Sequence, residues 1–153
     1  QTVGGMFAGL KEPEDSDDPA QKVYSKAKFM GTHCQGQTEV DVNGIGPTIR
    51  AEHHGNIEYR RLSKEHSGII DKELKKGLKE RRLTPRECAL IQTFPLDYEF
   101  VIPHEENKQR YILSPSAAYK IIGNAVPPLL AYHIGKRIEN LWDLYFEPDE
   151  VII

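Results

Sequence analysis

Apolar positions follow different rhythms along the 153 residues. In "KVYSKAKFM" and "QTEVDVNGIGPTIRA", between Lys22 and Ala51, β-branched and aromatic residues come in short runs broken by Gly and Asn. That pattern predicts short strands and turns. "SKEHSGIIDKELKKGLKERR" follows, with Ser63 and Ser67 as possible caps and Leu74 and Leu78 four apart, the mark of a polar helix or turn. The sharpest local signal is "LTPRECALIQTFP". Thr84 as N-cap, Pro85 at the first helical position and Glu87 three residues after the cap form a capping box, and Pro95 lies beyond the end. A helix over 85–92 is expected. Ser114 before Pro115 starts a second helix, which Gly123 is expected to end. Pro127 and Pro128 open a third, "PPLLAYHIGKRIENLWDLYFE", where Leu130, Ile134, Ile138, Leu141 and Tyr145 recur at helical spacing. The predicted class is α+β: short strands and turns, a short capped helix, then a long amphipathic C-terminal helix whose apolar stripe needs a covering surface.

Length is that of one domain, large enough for a real core. No apolar run approaches the roughly 20 residues of a membrane helix, and "QTVGGMFAGL" lacks the basic flank and apolar stretch of a signal peptide. A cytoplasmic chain with no membrane partner is expected, and the lack of an initiator Met points to a fragment or processed chain. Cys34 and Cys88 are the only cysteines, read as free thiols in a reducing compartment, with Cys88 packed in the core.

Charge changes the picture, because the net value of −3 is unevenly spread. Five acids sit in "KEPEDSDD", and residues 11–20 read as a mobile, solvated surface loop. Arg50 to Arg86 holds eleven Lys and Arg against six Asp and Glu. A basic stretch in an acidic chain suggests an anionic partner.

"RRLTPRECALIQTFP" (81–95) followed by "AYKIIGNAVPPLLAYHIGKRI" (118–138) resembles the last two conserved blocks, nine and ten, of the bacterial cytosine-C5 DNA methyltransferases. The resemblance covers residues 45–140. In "GPTIRAEHHG", Thr48, Ile49 and Gly55 fit the Thr, aliphatic residue and later Gly that mark the family's target-recognition region. The resemblance implies residues 1–112 as recognition domain, with block nine at its base, and residues 113–153 as block ten and the helix returning to the catalytic domain. It also implies a Pro-Cys nucleophile block, a Glu-Asn-Val block and a Gly-rich segment for S-adenosylmethionine, none of which occurs among these residues. Cys34, in "THCQG", imitates the Cys-Gln of the nucleophile block without its proline and is read as structural. No catalytic residue is therefore expected in this chain, and adjacent His53 and His54 without a third ligand give no metal site.

Methylating a base within a duplex requires its extrusion, an expense of a few kcal/mol that contacts to the remaining DNA must offset. Arg60, Arg61, Lys64, Lys75, Lys76 and Lys79 are candidates for phosphate contacts. Thr48, Arg50, Glu52, His53 and His54 are candidates for the recognition surface, since Arg pairs with guanine and Glu accepts from cytosine N4. Gln35 and Gln37 are placed on an earlier recognition loop. Arg86, just inside its helix, is suited to brace a carboxylate or neighbouring loop. In block ten the resemblance assigns Asn124, with Ala125 and Val126 as backbone neighbours, to the methionine part of S-adenosylmethionine. The expected function is the C-terminal DNA-recognition portion of a DNA (cytosine-5-)-methyltransferase of restriction-modification, inactive alone. Its partners are double-stranded DNA and a catalytic domain carrying the Pro-Cys and Glu-Asn-Val blocks, in the same or a separate chain. The alternatives are a stand-alone DNA-binding or regulatory module derived from that family, and a purely structural protein whose basic stretch is solvated surface.

Overall fold

The computed structural model describes residues 1–24, 40–51, 58–60, 77–78, 81–107 and 109–146. These form α1 (Val3–Met6), a 3-10 turn (Pro13–Asp15), α2 (Pro19–Lys22), β1 (Glu58–Arg60), β2 (Arg81–Arg82), α3 (Pro85–Ile91), β3 (Ile102–Pro103), β4 (Tyr111–Leu113), α4 (Pro115–Asn124), α5 (Pro128–Asn140) and α6 (Trp142–Phe146). Antiparallel pairs β1-β2 and β3-β4 make two small sheets, each with a register irregularity. This mixture of helices and small antiparallel sheets is compatible with α+β.

Local signals set the helix starts. Thr84 Oγ1 accepts from Glu87 N–H and the Glu87 carboxylate accepts from Thr84 N–H, so both halves of the capping box form. Ser114 Oγ accepts from Ala117 N–H at the head of α4. Proline opens α3, α4 and α5, where a missing N–H costs nothing. Small residues then let α3 and α4 meet: Cys88, Ala89 and Ala118 are buried with Leu83, Tyr119 and Ile122. Each fully buried large apolar side chain contributes about 1.5–3 kcal/mol over its exposed state. Phe94 and Tyr98 close on Phe100 with ring centroids 4.9 and 4.8 Å away, holding the turn after α3 to the same core.

Four expectations are corrected. The acidic residues 11–20 are not a mobile loop: Pro13, Ser16 and Ala20 are buried, and a 3-10 turn and α2 order the segment against α3. Residues 40–51 form no strand, because Val42 and Gly44 give their carbonyls to Gly4 and Val3 N–H at the start of α1. Gly123 does not stop α4, which continues through Asn124 with Ala125 as its cap. The C-terminal helix is two pieces, since Leu141 N–H reaches back only three residues to Ile138 O and the last turn of α5 tightens. The polar helix or turn expected over 63–82 lies mostly outside the described residues, as do Cys34 and the strands expected over 25–39; Arg81 and Arg82 belong to a strand.

Candidate functional site

The site rests on the head of α3. Arg81 Nη1 and Nη2 donate to Glu87 Oε2 and Oε1, both at 2.8 Å, with the two side chains almost fully buried. A buried ion pair is tolerable only when its remaining hydrogen-bonding capacity is met. Here it is: Glu87 also accepts from Thr84 N–H at 2.9 Å and Gln21 Nε2 at 3.2 Å, and Arg81 Nε reaches Glu12 Oε2 at 3.4 Å. Gln21 Oε1 in turn accepts from Thr84 Oγ1 at 2.6 Å. Arg86 braces a carboxylate, as its position suggested, donating to Asp18 Oδ2 and to Tyr98 O. Acids of the N-terminal segment are thus counter-charges for block nine. Burial, with Glu87 alongside, pushes the Cys88 thiol far above its ordinary range. The thiolate is the reactive form, so Cys88 is chemically inert in this setting.

On this base two segments come together. Residues 45–50 carry no regular secondary structure, and Ile49 is buried while Thr48 and Arg50 on either side are exposed. Their backbone is pinned at two points by glycine. A Cβ on Gly46 would lie 2.6 Å from Ile91 Cγ2 of α3, and one on Gly123 would lie 2.8 Å from Ala51 Cα and closer still to Ala51 N and Arg50 C. Gly123 is therefore required for close backbone approach, not for a left-handed turn.

Immediately beyond it, α4 ends and α5 begins across Ala125, Val126 and Pro127. Asn124 and Val126 are exposed, and Ala125 N–H is used by Ile122 O at 3.2 Å. Val126 N–H has no partner among the described residues. Two residues at the end of α3 hold the junction. Gln92 Nε2 donates to Ile122 O at 3.1 Å, and Thr93 Oγ1 accepts from Leu129 N–H at 3.1 Å. The start of α5 is thus partly satisfied by a side chain from block nine.

The Arg50–Ala51 backbone is brought against Gly123, beside the Asn124 junction, and Thr48 stands two residues earlier in the same segment. Glu52, His53, His54, Gln35, Gln37, Arg61 and Lys64 lie outside the described residues, as do Lys75, Lys76 and Lys79, and Arg60 is described only as backbone of β1. Sequence reasoning missed Gln21, Gln92 and Thr93. Gln21 has no local signal, because its partners are 63 and 66 residues away. Thr93 had one: it stands just past the end of a capped helix, where a helix usually turns through glycine.

A family model described as C-5 cytosine-specific DNA methylase matches residues 11–140. Type II methyltransferase M.AquIB of Picosynechococcus is 41% identical over 69 residues, 44% of this chain and 50% of that protein. Type II methyltransferase M.HgiDI of Herpetosiphon aurantiacus is 33% identical over 98 residues, 64% of this chain and 26% of its own length. DNA (cytosine-5)-methyltransferase 1A of Oryza sativa is 41% identical over 64 residues, 42% of this chain and 4% of its own. The matched region spans half or less of each relative. Over most of its length this chain matches one model, and it belongs to the C-5 cytosine-specific DNA methylase family.

Proposed function

We propose that this chain is the DNA-recognition and cofactor-closing part of a Type II cytosine-C5 DNA methyltransferase, and that another segment or chain supplies the Pro-Cys and Glu-Asn-Val blocks. In this reading residues 1–112 form the recognition domain, residues 113–153 return to the catalytic domain, and the assembled enzyme acts on double-stranded DNA in the bacterial cytoplasm. The observation that carries it is the pinning of Arg50–Ala51 under Gly123, which ties the recognition segment to the Asn124 junction. The 69 residues matched in M.AquIB are half of that protein, so a relative named as a methyltransferase is itself about 140 residues long. Its length supports a separate-chain arrangement.

The residues at the junction suit S-adenosylmethionine. The exposed Asn124 amide can donate to a carboxylate or accept from an ammonium, and Val126 N–H is an available donor. The bound group supplies an electrophilic methyl for C5 of a flipped cytosine. Asn124, Ala125 and Val126 hold its methionine end. Thr48, Arg50, Glu52, His53 and His54 face the groove with Gln35 and Gln37, while Arg60, Arg61 and Lys64 neutralise phosphates and help offset the flipping cost.

The test is complementation. Mixed with a chain bearing the Pro-Cys and Glu-Asn-Val blocks, this protein should restore methyl transfer from labelled S-adenosylmethionine to DNA; alone it should transfer none. DNA binding with a steep salt dependence but no complementation, with both parts in excess, would instead establish a stand-alone DNA-binding module. Neither binding nor complementation would overturn both readings.

A further inference from the structure

The corner between block nine and block ten contains a backbone that its own side chain makes costly. α3 ends with Phe94 N–H bonded to Ala89 O and Thr93 N–H bonded to Leu90 O, each at 2.9 Å, the paired bonds of a Schellman cap. The residue at the turn of such a cap is usually glycine, because the left-handed backbone there crowds a Cβ. Here it is Thr93 at φ +65°, a β-branched residue in a region such residues rarely enter. Strain of this kind persists only where the surroundings enforce it, and it concentrates where geometry serves a task.

The surroundings name the task. From this left-handed position Thr93 Oγ1 accepts the N–H of Leu129, 36 residues along the chain, in the first turn of α5. Its neighbour Gln92 donates to Ile122 O in the last turn of α4. The six residues Gly123–Pro128 between these two bonds are therefore held at both ends by adjacent side chains from just past the end of α3. Glycine at position 93 would relax the backbone and lose the second hold.

We propose that Gln92 and Thr93 are positioning residues: they fix the Asn124–Val126 segment from below without touching cofactor themselves, and Thr93 is retained at a strained position for its hydroxyl. The inference rests on the proposed cofactor role of that segment, and its test separates the two.

In the full chain, Thr93→Gly should unfold at an unchanged or higher temperature while the Leu129 amide exchanges about tenfold faster, the effect of one lost hydrogen bond. Thr93→Ser, which keeps the hydroxyl, should restore protection. Gln92→Ala supplies a second variant, in which the Ala125 amide, bonded to the same Ile122 carbonyl, should lose protection. In the complemented enzyme, Thr93→Gly should raise the KM for S-adenosylmethionine several-fold and leave the KM for DNA unchanged, with Thr93→Ser again rescuing. Wild-type protection of Leu129 in Thr93→Gly overturns the brace. Faster exchange with an unchanged KM for S-adenosylmethionine, where Asn124→Ala does raise it, overturns the positioning role alone. If Asn124→Ala also leaves that KM unchanged, the cofactor reading of the junction falls, and the positioning role with it.

Discussion

Residues 11–24 are acidic and ordered against the core, whereas residues 128–146 carry an apolar stripe that faces outward. In the first, Asp18 and Glu12 meet Arg86 and Arg81, and Gln21 is buried between Thr84 and Glu87. In the second, α5 has no buried residue, and Leu130, Ile134 and Ile138 are about half exposed. Polarity alone therefore does not tell inside from outside here. What decides is whether the partner lies within these residues. Block nine has its counter-charges in the same chain, and α5 has no covering surface among the described residues.

The largest effect should come from breaking the satisfied end of the comparison. Glu87→Gln removes the charge of the carboxylate that grips Arg81 at two points, leaving Glu12 at 3.4 Å to face the buried guanidinium, and should destabilise the chain by about 3–5 kcal/mol, a large share of a domain's stability. Urea unfolding measures it, and a loss below 1 kcal/mol would mean that the pair is not buried as described.

Two helical glycines sharpen the contrast. Gly123→Ala drives a Cβ into the Arg50–Ala51 backbone and should cost about 1–3 kcal/mol. Gly135→Ala on α5 meets nothing within 4 Å and should be neutral or stabilising by up to about 1 kcal/mol, through helix propensity. Thermal unfolding of the pair gives opposite signs if the packing is right.

On the unsatisfied end, Ile134→Asp should change the stability of this chain by less than about 0.5 kcal/mol. It should nonetheless abolish co-purification with the catalytic part; retained association would show that the stripe is not the contact.

The smallest effect is alkaline. Burial, with the hydrogen bond to Glu14, raises the Tyr24 phenol from 10.0 to about 12. A raised folded value means the contribution is complete below pH 10 and is lost as pH climbs towards 12. Ultraviolet titration should show a phenol ionising towards pH 12 that Tyr24→Phe removes, while Tyr119, which burial raises further, ionises later in both proteins.

What the sequence disclosed was local. Thr84 with Glu87, Ser114, and the prolines at 85, 115 and 128 act within one turn, so their helices start where the residues indicate. The errors share another cause. Acids at 12 and 18 look solvated because their arginines stand 69 and 68 residues away, and Gly123 looks like a stop because the backbone it accommodates is at Arg50 and Ala51. At the site, Thr48 and Arg50 are exposed on either side of a buried Ile49. The brace from Gln92 and Thr93 depends on a fold-level meeting that no local pattern encodes.

On the proposed reading, the contact beneath Gly123 also bears on how the assembled enzyme could be re-targeted. A transplanted recognition loop would have to preserve a main-chain path with no room for error at Arg50–Ala51, and a second at Gly46 against Ile91. Graft junctions cut inside residues 46–51 would disturb the contacts with Ile91 and Gly123 together. Cuts placed after Ala51 leave both close contacts whole, and Thr48 and Arg50 then stay with the recipient chain.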